Sequence, residues 1–145
     1  FGDQRYLHSF PTRRSSDLPE YLRSVGYFCT NRVKTDYNFD NYSNAWDITG
    51  KQAHWRDCDK QRPFFSVFNL EVTHESNIRS PYKKMQHDPA KANVPPYMPD
   101  TPVTRQDWAR YHDLVTAMDI QAGELMSQLE EDGLSEDTII FFFSD

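Results

Sequence analysis

Apolar residues in this chain are concentrated in a few segments separated by long polar stretches. The longest pattern runs from Thr104 to Asp132, where apolar side chains recur at alternating spacings of three and four. That spacing predicts one helix with a single apolar face. We expect Thr104 to cap its start with Asp107 as the capping-box acid, and Gly133 to end it. The predicted apolar face consists of Trp108, Tyr111, Val115, Met118, Ala122, Leu125 and Leu129.

Short apolar runs on either side of this helix predict β-strands. Phe64–Val72 and Thr138–Phe143 are nearly continuous in apolar residues, which is typical of strands covered on both faces in a parallel sheet. A shorter aromatic segment, Tyr27–Thr30, is also β-prone and follows a short helix expected between Pro19 and Gly26. The succession of strand, helix-containing connection and strand predicts an α/β fold with a right-handed parallel crossover.

Two long polar connections separate these elements. The segment Asn38–Arg62 carries scattered Asn, Asp and Gly residues and is expected to be a loop with at most one helical turn. The segment Thr73–Thr101 ends in VPPYMPDTP, whose prolines oppose regular helix and favour a stiff, extended path. Loops of this length in a compact domain are usually functional or disordered.

Length, net charge and cysteine spacing limit the kinds of protein that this chain can be. The chain has 145 residues, enough for one domain with a core, and its net charge of −6 argues against a basic face for nucleic acid. Its longest apolar run, Ile139–Phe143, is too short to span a membrane. The two cysteines, Cys29 and Cys58, have no metal-binding spacing and do not fix a redox compartment.

The first part of the chain has a different expected origin from the rest. The stretch His8–Leu18, HSFPTRRSSDL, resembles over its whole length the conceptual translation of a widely used sequencing adapter. We therefore expect residues 1–18 to be non-native and residues 19–145 to be the protein's own sequence. The chain opens without Met and stops directly after a predicted strand, so we expect it to be an internal fragment.

Three residues follow predicted elements at positions suited to chemistry. Ligands of open α/β sheets bind beyond the carboxyl ends of the strands, where His74 and Asp145 fall in this sequence. A carboxylate there can hold a cation, and an imidazole can donate a proton or bind an anion. Lys34, in NRVKTDYN, can offset anionic charge. Taken singly, each residue is more often an ordinary solvated side chain.

The order of the motifs is more informative than any one of them. KTDYN is followed by PFFSVFNLEVTHES, then by HDPAK and PPYMPD, and then by a long helix ending in LEEDGLSEDTIIFFFSD. This order resembles the sulfatase family of the alkaline-phosphatase-like superfamily, and in particular bacterial members related to heparan N-sulfatase. The resemblance covers Pro19–Asp145, and its most specific part is MDIQAGELMSQLEEDGLSEDTIIFFFSD. It implies that residues 19–145 are a partial sulfatase catalytic domain.

The resemblance implies a fold and a reaction. The fold is an α/β sandwich around a mixed, mostly parallel sheet. The reaction is hydrolysis of sulfate esters or sulfamates on a sulfated carbohydrate, with one Ca²⁺ and a formylglycine nucleophile. The hydrated formylglycine attacks sulfur, and its second hydroxyl then expels sulfate, so that covalent catalysis divides the hydrolysis into two easier steps. The cation polarises the sulfuryl oxygens. Such enzymes are usually exported, which implies a periplasmic or extracellular location.

The resemblance also implies roles for individual residues. Lys34 matches the family lysine that contacts sulfate, and His74 matches a histidine near the leaving group that acts as general acid or sulfate-binding donor. Asp145 matches an aspartate that ligates the cation together with an N-terminal Asp pair and formylglycine. Asp36 stands where many relatives have a histidine, which departs from the family pattern.

The residues that should carry the nucleophile are missing from the expected place. The pattern Ser9-Phe-Pro-Thr-Arg13 mimics the maturation motif, but it falls within the adapter-like stretch and too close to Lys34 for the family spacing. We expect the nucleophile and the Asp pair to lie outside this chain, which alone should be inactive. Two alternatives stay open: another superfamily hydrolase, acting on phosphodiesters or phosphonates, and a non-catalytic anion-binding module. The oligomeric state is open as well.

Overall fold

The computed structural model describes residues 17–35, 45–59, 61–79 and 85–144. The chain divides into two compact units, one ending at Asn69 and the other beginning at Leu70. Two helices and a small parallel sheet confirm the α/β class that the sequence predicts.

The first unit is built on a three-stranded sheet that follows helix α1 (Asp17–Ser24). Its strands are β1 (Phe28–Arg32), β2 (Ile48–Thr49) and β3 (Phe64–Phe68), arranged in the order β2-β1-β3. Both pairings are parallel, and β1 is aligned with β3 along its whole length. Their carboxyl ends therefore lie at one edge of the sheet.

The core of the first unit lies around the central strand. Four consecutive residues of β1, from Phe28 to Asn31, are buried, as expected for a strand paired on both sides. Cys29 packs with Ala45 and Trp46, and the Trp46 ring stacks on Phe65 at a centroid distance of 6.1 Å. The apolar side chains of α1 and β3 complete this cluster.

The elements of the first unit match most of the sequence predictions. Helix α1 and strand β1 both form, but α1 begins at Asp17 rather than at Pro19, and β1 ends at Arg32 rather than at Thr30. Gly26 follows the helix with a positive φ of 98° that glycine tolerates at little cost. The polar connection contains the expected helical turn, a 3₁₀ segment at Trp55–Asp57. It also contains β2, which is two residues long and too short to show a period. Residues 38–44 lie outside the described ranges.

The strand predicted over Phe64–Val72 is shorter in the structure. It ends at Phe68, and Glu71–Thr73 forms a 3₁₀ turn. At Asn69 the backbone N–H still bonds to the Arg32 carbonyl, but the side chain turns to Asn31 and Arg32, so the ladder ends there. The apolar run predicted too long a strand. The length of β3 depends on where its pairing partner β1 ends, and the run itself does not contain that information.

The second unit is built on helix α2 (Pro102–Glu131). Its N-cap is Thr101, whose hydroxyl accepts from the Thr104 N–H at 3.2 Å, so the predicted cap at Thr104 with Asp107 is wrong. The helix starts earlier because Pro102, which lacks an N–H, is well suited to the first helical position. Gly133 follows the helix end with φ +71°, which confirms the predicted stop.

The predicted apolar face of α2 is only partly buried. Leu129 is buried and Tyr111 is exposed, whereas the remaining predicted positions are half-buried. The buried positions near the start of the helix are Ala109, Arg110, Asp113 and Leu114. Two of these four are charged, and both bond backbone groups. Arg110 donates to the Asn77 carbonyl in the 3₁₀ turn Glu75–Arg79, and Asp113 accepts from the His87 N–H.

The strand predicted over Thr138–Phe143 does not form in the structure. These residues are not paired in the described sheet, and the side chains of Ile139 and Phe143 are 81% and 83% exposed. The predicted crossover into this segment is therefore wrong for the described residues. A strand requires a neighbouring strand to complete its hydrogen bonds, and apolar composition alone does not supply one.

None of the helices described is long and apolar enough to cross a membrane.

Candidate functional site

Lys34 lies just beyond the carboxyl end of the central strand. Strand β1 ends at Arg32, and the half-buried Lys34 follows two residues later. The ends of β2 and β3 lie at the same edge because all pairings are parallel. This is the edge at which open α/β sheets bind ligands. The sequence predicted His74 and Asp145 beyond such strand ends, but β3 ends at Phe68, well before His74, and Asp145 lies outside the described residues.

The backbone at Lys34 is held by a buried asparagine. Asn31, which is 1% exposed, donates from Nδ2 to the Lys34 carbonyl at 2.8 Å. Its Oδ1 accepts from Asn69 Nδ2 at 2.9 Å, and its Nδ2 also lies 3.5 Å from Thr49 Oγ1. Asn31 thus contacts a side chain at the end of each neighbouring strand. Buried amides that use their hydrogen-bonding capacity in this way fix local geometry.

A second cationic side chain lies at this edge of the sheet. Arg32 is exposed, and its guanidinium carbon lies 6.0 Å from the ring centroid of Phe68 on the neighbouring strand. A cation over an aromatic face at this distance is attracted to the ring. The sheet edge therefore carries Arg32 and Lys34 close together in sequence, a local positive charge in an acidic chain.

His74 belongs to the second unit and is held by its own turn. It follows the 3₁₀ turn Glu71–Thr73 and its side chain is exposed. Nδ1 accepts from the Ser76 backbone N–H at 3.3 Å and lies 2.8 Å from the Ser76 hydroxyl. A backbone N–H can only donate, so Nδ1 carries no proton in this arrangement. The neutral ring then has its proton on Nε2 and presents an N–H donor.

The other two residues singled out by the family pattern cannot be placed. Asp145, the predicted metal ligand, and Asp36 both lie outside the described residues. Among the described residues, no group of three or more His, Cys, Asp or Glu side chains is arranged to hold a metal ion.

Neither cysteine has the properties of a thiolate nucleophile. Burial, reinforced by Asp47, raises the pKa of Cys29 to about 11, although Arg23 and Arg62 oppose the shift. Burial also raises the pKa of Cys58 above its ordinary value. Thiols with raised pKa values are poor nucleophiles at neutral pH.

Sequence reasoning missed the groups that organise the sheet edge. Asn31 directly follows the predicted strand Tyr27–Thr30, which was a usable signal, whereas Asn69 lies within the predicted strand Phe64–Val72. It also missed the pairing of Asp113 with His87, whose Nδ1 lies 2.7 Å from Asp113 Oδ1. That pair joins positions 26 residues apart, and no local pattern indicates it.

Comparisons with known proteins agree on one family. A sequence model described as Sulfatase matches residues 16–145. The ulvan-active sulfatase of Formosa agariphila is 35% identical over 164 aligned positions, which cover 88% of this chain and 28% of that protein. The N-sulphoglucosamine sulphohydrolase of Homo sapiens is 36% identical over 59 residues, 41% of this chain and 12% of that protein. No solved structure gives a significant match. The chain thus spans less than a third of the length of either relative.

Proposed function

Because the chain belongs to the sulfatase family, we propose that the protein carrying it hydrolyses sulfate esters or sulfamates on a sulfated sugar. One relative is named for activity on ulvan and the other for N-sulphoglucosamine, which is itself a sulfated sugar. The structural observation that carries the proposal is the fixed position of Lys34 at the carboxyl edge of the parallel sheet.

Lys34 is proposed to bind the sulfuryl group. Its ammonium can offset the negative charge that develops on the sulfuryl oxygens as the S–O or S–N bond breaks. Such stabilisation depends on a donor that is already in place before the reaction. The hydrogen bond from Asn31 to the Lys34 carbonyl supports this role because it holds the lysine backbone to the end of β1.

His74 is proposed to act as a hydrogen-bond donor near the leaving group. With Nδ1 accepting from Ser76, the neutral ring offers Nε2–H to a sulfate oxygen or to the departing atom. Of the two roles that the resemblance implies, the geometry favours the sulfate-binding donor. A general acid would use the imidazolium form, in which Nδ1 also carries a proton and cannot accept from the Ser76 N–H.

The cation and the nucleophile remain part of the proposal. The resemblance implies one Ca²⁺, with Asp145 as one ligand, and a formylglycine nucleophile outside this chain. A bound divalent cation would polarise the sulfuryl oxygens. A periplasmic or extracellular location is proposed on the same ground.

Substrate preference tests the proposed function. The complete open reading frame that carries this chain is expressed and incubated with an aryl sulfate, N-sulphoglucosamine, a sulfated oligosaccharide and an aryl phosphodiester. Ion chromatography measures released sulfate, and absorbance measures phosphodiester cleavage. We expect sulfate release from a sulfated sugar and little cleavage of the phosphodiester.

Two results would contradict this proposal. Cleavage of the phosphodiester without sulfate release would identify another hydrolase of the superfamily. Binding of sulfated sugars without any turnover would identify an anion-binding module. The 145-residue chain alone serves as the negative control, because we expect the nucleophile to lie outside it.

A further inference from the structure

The second unit contains an open cavity whose lining includes neither Lys34 nor His74. Its volume is about 460 Å³, within the range that holds a small ligand. Two of its lining residues, Ala92 and Ala109, are apolar. The remaining lining side chains are all polar or charged: Gln86, His87, Asp88, Lys91, Asn93 and His112.

A buried carboxylate fixes one wall of this cavity. Asp113 accepts from the backbone N–H groups of Gln86 and His87 at 3.1 and 2.9 Å, and lies 2.7 Å from His87 Nδ1. Burial acts to raise the pKa of Asp113, but the hydrogen bonds from His87 and Gln86 outweigh it and lower that pKa. Asp113 is therefore ionised near neutral pH, so His87 Nδ1 carries the proton that it shares with the carboxylate.

A second set of bonds fixes another part of the lining. The Asp88 carboxylate caps the 3₁₀ turn Pro89–Lys91 by accepting from the Ala90 N–H at 2.9 Å. Arg105 of α2 donates to the carbonyls of Ala90 and Ala92 at 3.3 and 3.1 Å. The segment that carries Lys91 is thus tied to α2 by side chains, which makes the cavity preformed.

The chemistry of the lining suits an acidic sugar. Lys91 supplies a cation, and the rings of His87 and His112 lie 5.7 Å apart by their centroids. Because its Nδ1–H donates a hydrogen bond to Asp113, a neutral His87 has Nε2 free of a proton, and this nitrogen can accept a hydrogen bond from a hydroxyl. A protonated His87 offers an N–H to an oxyanion instead. The Asn93 amide can both donate to and accept from ring hydroxyls.

We propose that this cavity is a subsite for an acidic sugar ring of the substrate. Lys91 binds the oxyanion of that ring, and His87 and Asn93 bind its hydroxyls. The oxyanion is a sulfate ester or a uronate carboxylate, which share this recognition chemistry. The proposal rests on the proposed function, because it assumes that the protein acts on a sulfated saccharide.

Direct binding measurements test the subsite independently of turnover. Titration calorimetry on the protein from the complete open reading frame compares three disaccharides: one with a sulfate ester, one with a uronate carboxylate, and a neutral counterpart. We expect at least one acidic disaccharide to bind about tenfold more tightly than the neutral one, a difference of about 1.4 kcal/mol. Whichever acidic disaccharide shows the preference identifies the oxyanion.

Three variants assign that preference to the cavity. Lys91→Met should abolish the preference for the acidic disaccharide, whereas Lys51→Met, an exposed lysine of the first unit, should keep it. His87→Asn retains a donor toward Asp113 but removes Nε2, and should weaken binding of all three disaccharides several-fold. Thermal melts of the three variants check that each is folded.

The outcomes separate this proposal from the proposed function. An equal preference in Lys91→Met and Lys51→Met would overturn the subsite even if sulfate is released. A preference that depends on Lys91 would support the subsite even if the protein releases no sulfate and the proposed function fails. The absence of any acidic preference in the unsubstituted protein would also overturn it.

Discussion

The surroundings of Lys34 and His74 differ in how the fold holds the two residues. Lys34 follows a central strand, and a nearly inaccessible asparagine bonds its carbonyl and reaches the ends of both neighbouring strands. His74 stands on an exposed turn, and its ring contacts Ser76 two residues away. Both residues were singled out by motif order, and each is bonded directly by a residue close to it in sequence. The residue bonded to Lys34, Asn31, is itself bonded to residues of both neighbouring strand ends, whereas Ser76, which contacts the His74 ring, lies on an exposed turn. A motif identifies a candidate residue, and long-range hydrogen bonds determine how rigidly the fold presents it.

Two asparagines, one in each region, give the strongest test of this difference. Asn31→Ala removes the bonds to Lys34 and Asn69 in a buried setting and should destabilise the protein by about 2–3 kcal/mol. Asn77 also donates to backbone carbonyls, those of Glu71 and Val72, but it is only half-buried. We expect Asn77→Ala to cost about 1 kcal/mol. Urea unfolding followed by circular dichroism measures the unfolding free energy of both variants. An equal loss in the two variants would show that the two regions are held equally firmly.

Asp113 tests whether the second unit contains a buried network of its own. Asp113→Asn weakens the bonds to His87 and Gln86 and should cost about 2 kcal/mol at pH 7. The pKa of Asp113 is lower in the folded protein than its ordinary value of 3.8. The stability that its charge contributes is therefore present above about pH 4 and is lost as the pH falls through the lower folded value.

The pH dependence supplies the measurement for Asp113. The difference in unfolding free energy between the unsubstituted protein and Asp113→Asn should be large at pH 7 and smaller at pH 3. Asp119→Asn is the matched control, because Asp119 is exposed on the same helix. A difference that is constant between pH 7 and pH 3 would show that the charge of Asp113 contributes nothing.

Substitution of the N-cap residue of α2 should have a smaller effect on stability. Thr101→Ala removes the side chain that accepts from the Thr104 N–H and should cost about 1 kcal/mol. Thr104→Ala loses only a bond between the two hydroxyls and should cost less. Thermal unfolding of the two variants compares them. A greater loss of thermal stability in Thr104→Ala would show that Thr104 is the N-cap, as the sequence pattern predicted.

The smallest effect is expected near His74. Glu75 and Arg79 form an exposed ion pair at 3.0 Å on the 3₁₀ turn that follows this histidine. Glu75→Gln should change the unfolding free energy by less than about 0.5 kcal/mol, because solvent screens exposed pairs. A loss of unfolding free energy above 1 kcal/mol, measured by urea unfolding, would mean that this ion pair stabilises the turn after His74 more than an exposed pair should.

Local periodicity accounts for what the sequence predicted correctly. Helices α1 and α2 and strand β1 follow from patterns within their own residues. The errors arose where distant residues decide the structure. Strand β3 ends at Phe68 because its partner β1 ends at Arg32, and Thr138–Phe143 forms no strand where no partner pairs with it. Asp113 is buried because a loop 26 residues away supplies its donors, which no periodic pattern can encode.

The most direct test of the central claim is the effect of Lys34 on sulfate release. Turnover of a sulfated sugar is measured for the unsubstituted protein, Lys34→Ala and Lys51→Ala, each expressed from the complete open reading frame. If Lys34 stabilises charge on the sulfuryl group, Lys34→Ala should lower kcat by about 100-fold. Lys51→Ala, which changes an exposed lysine of the same unit, should leave kcat unchanged. Equal kcat values for the two variants would contradict the assignment of Lys34.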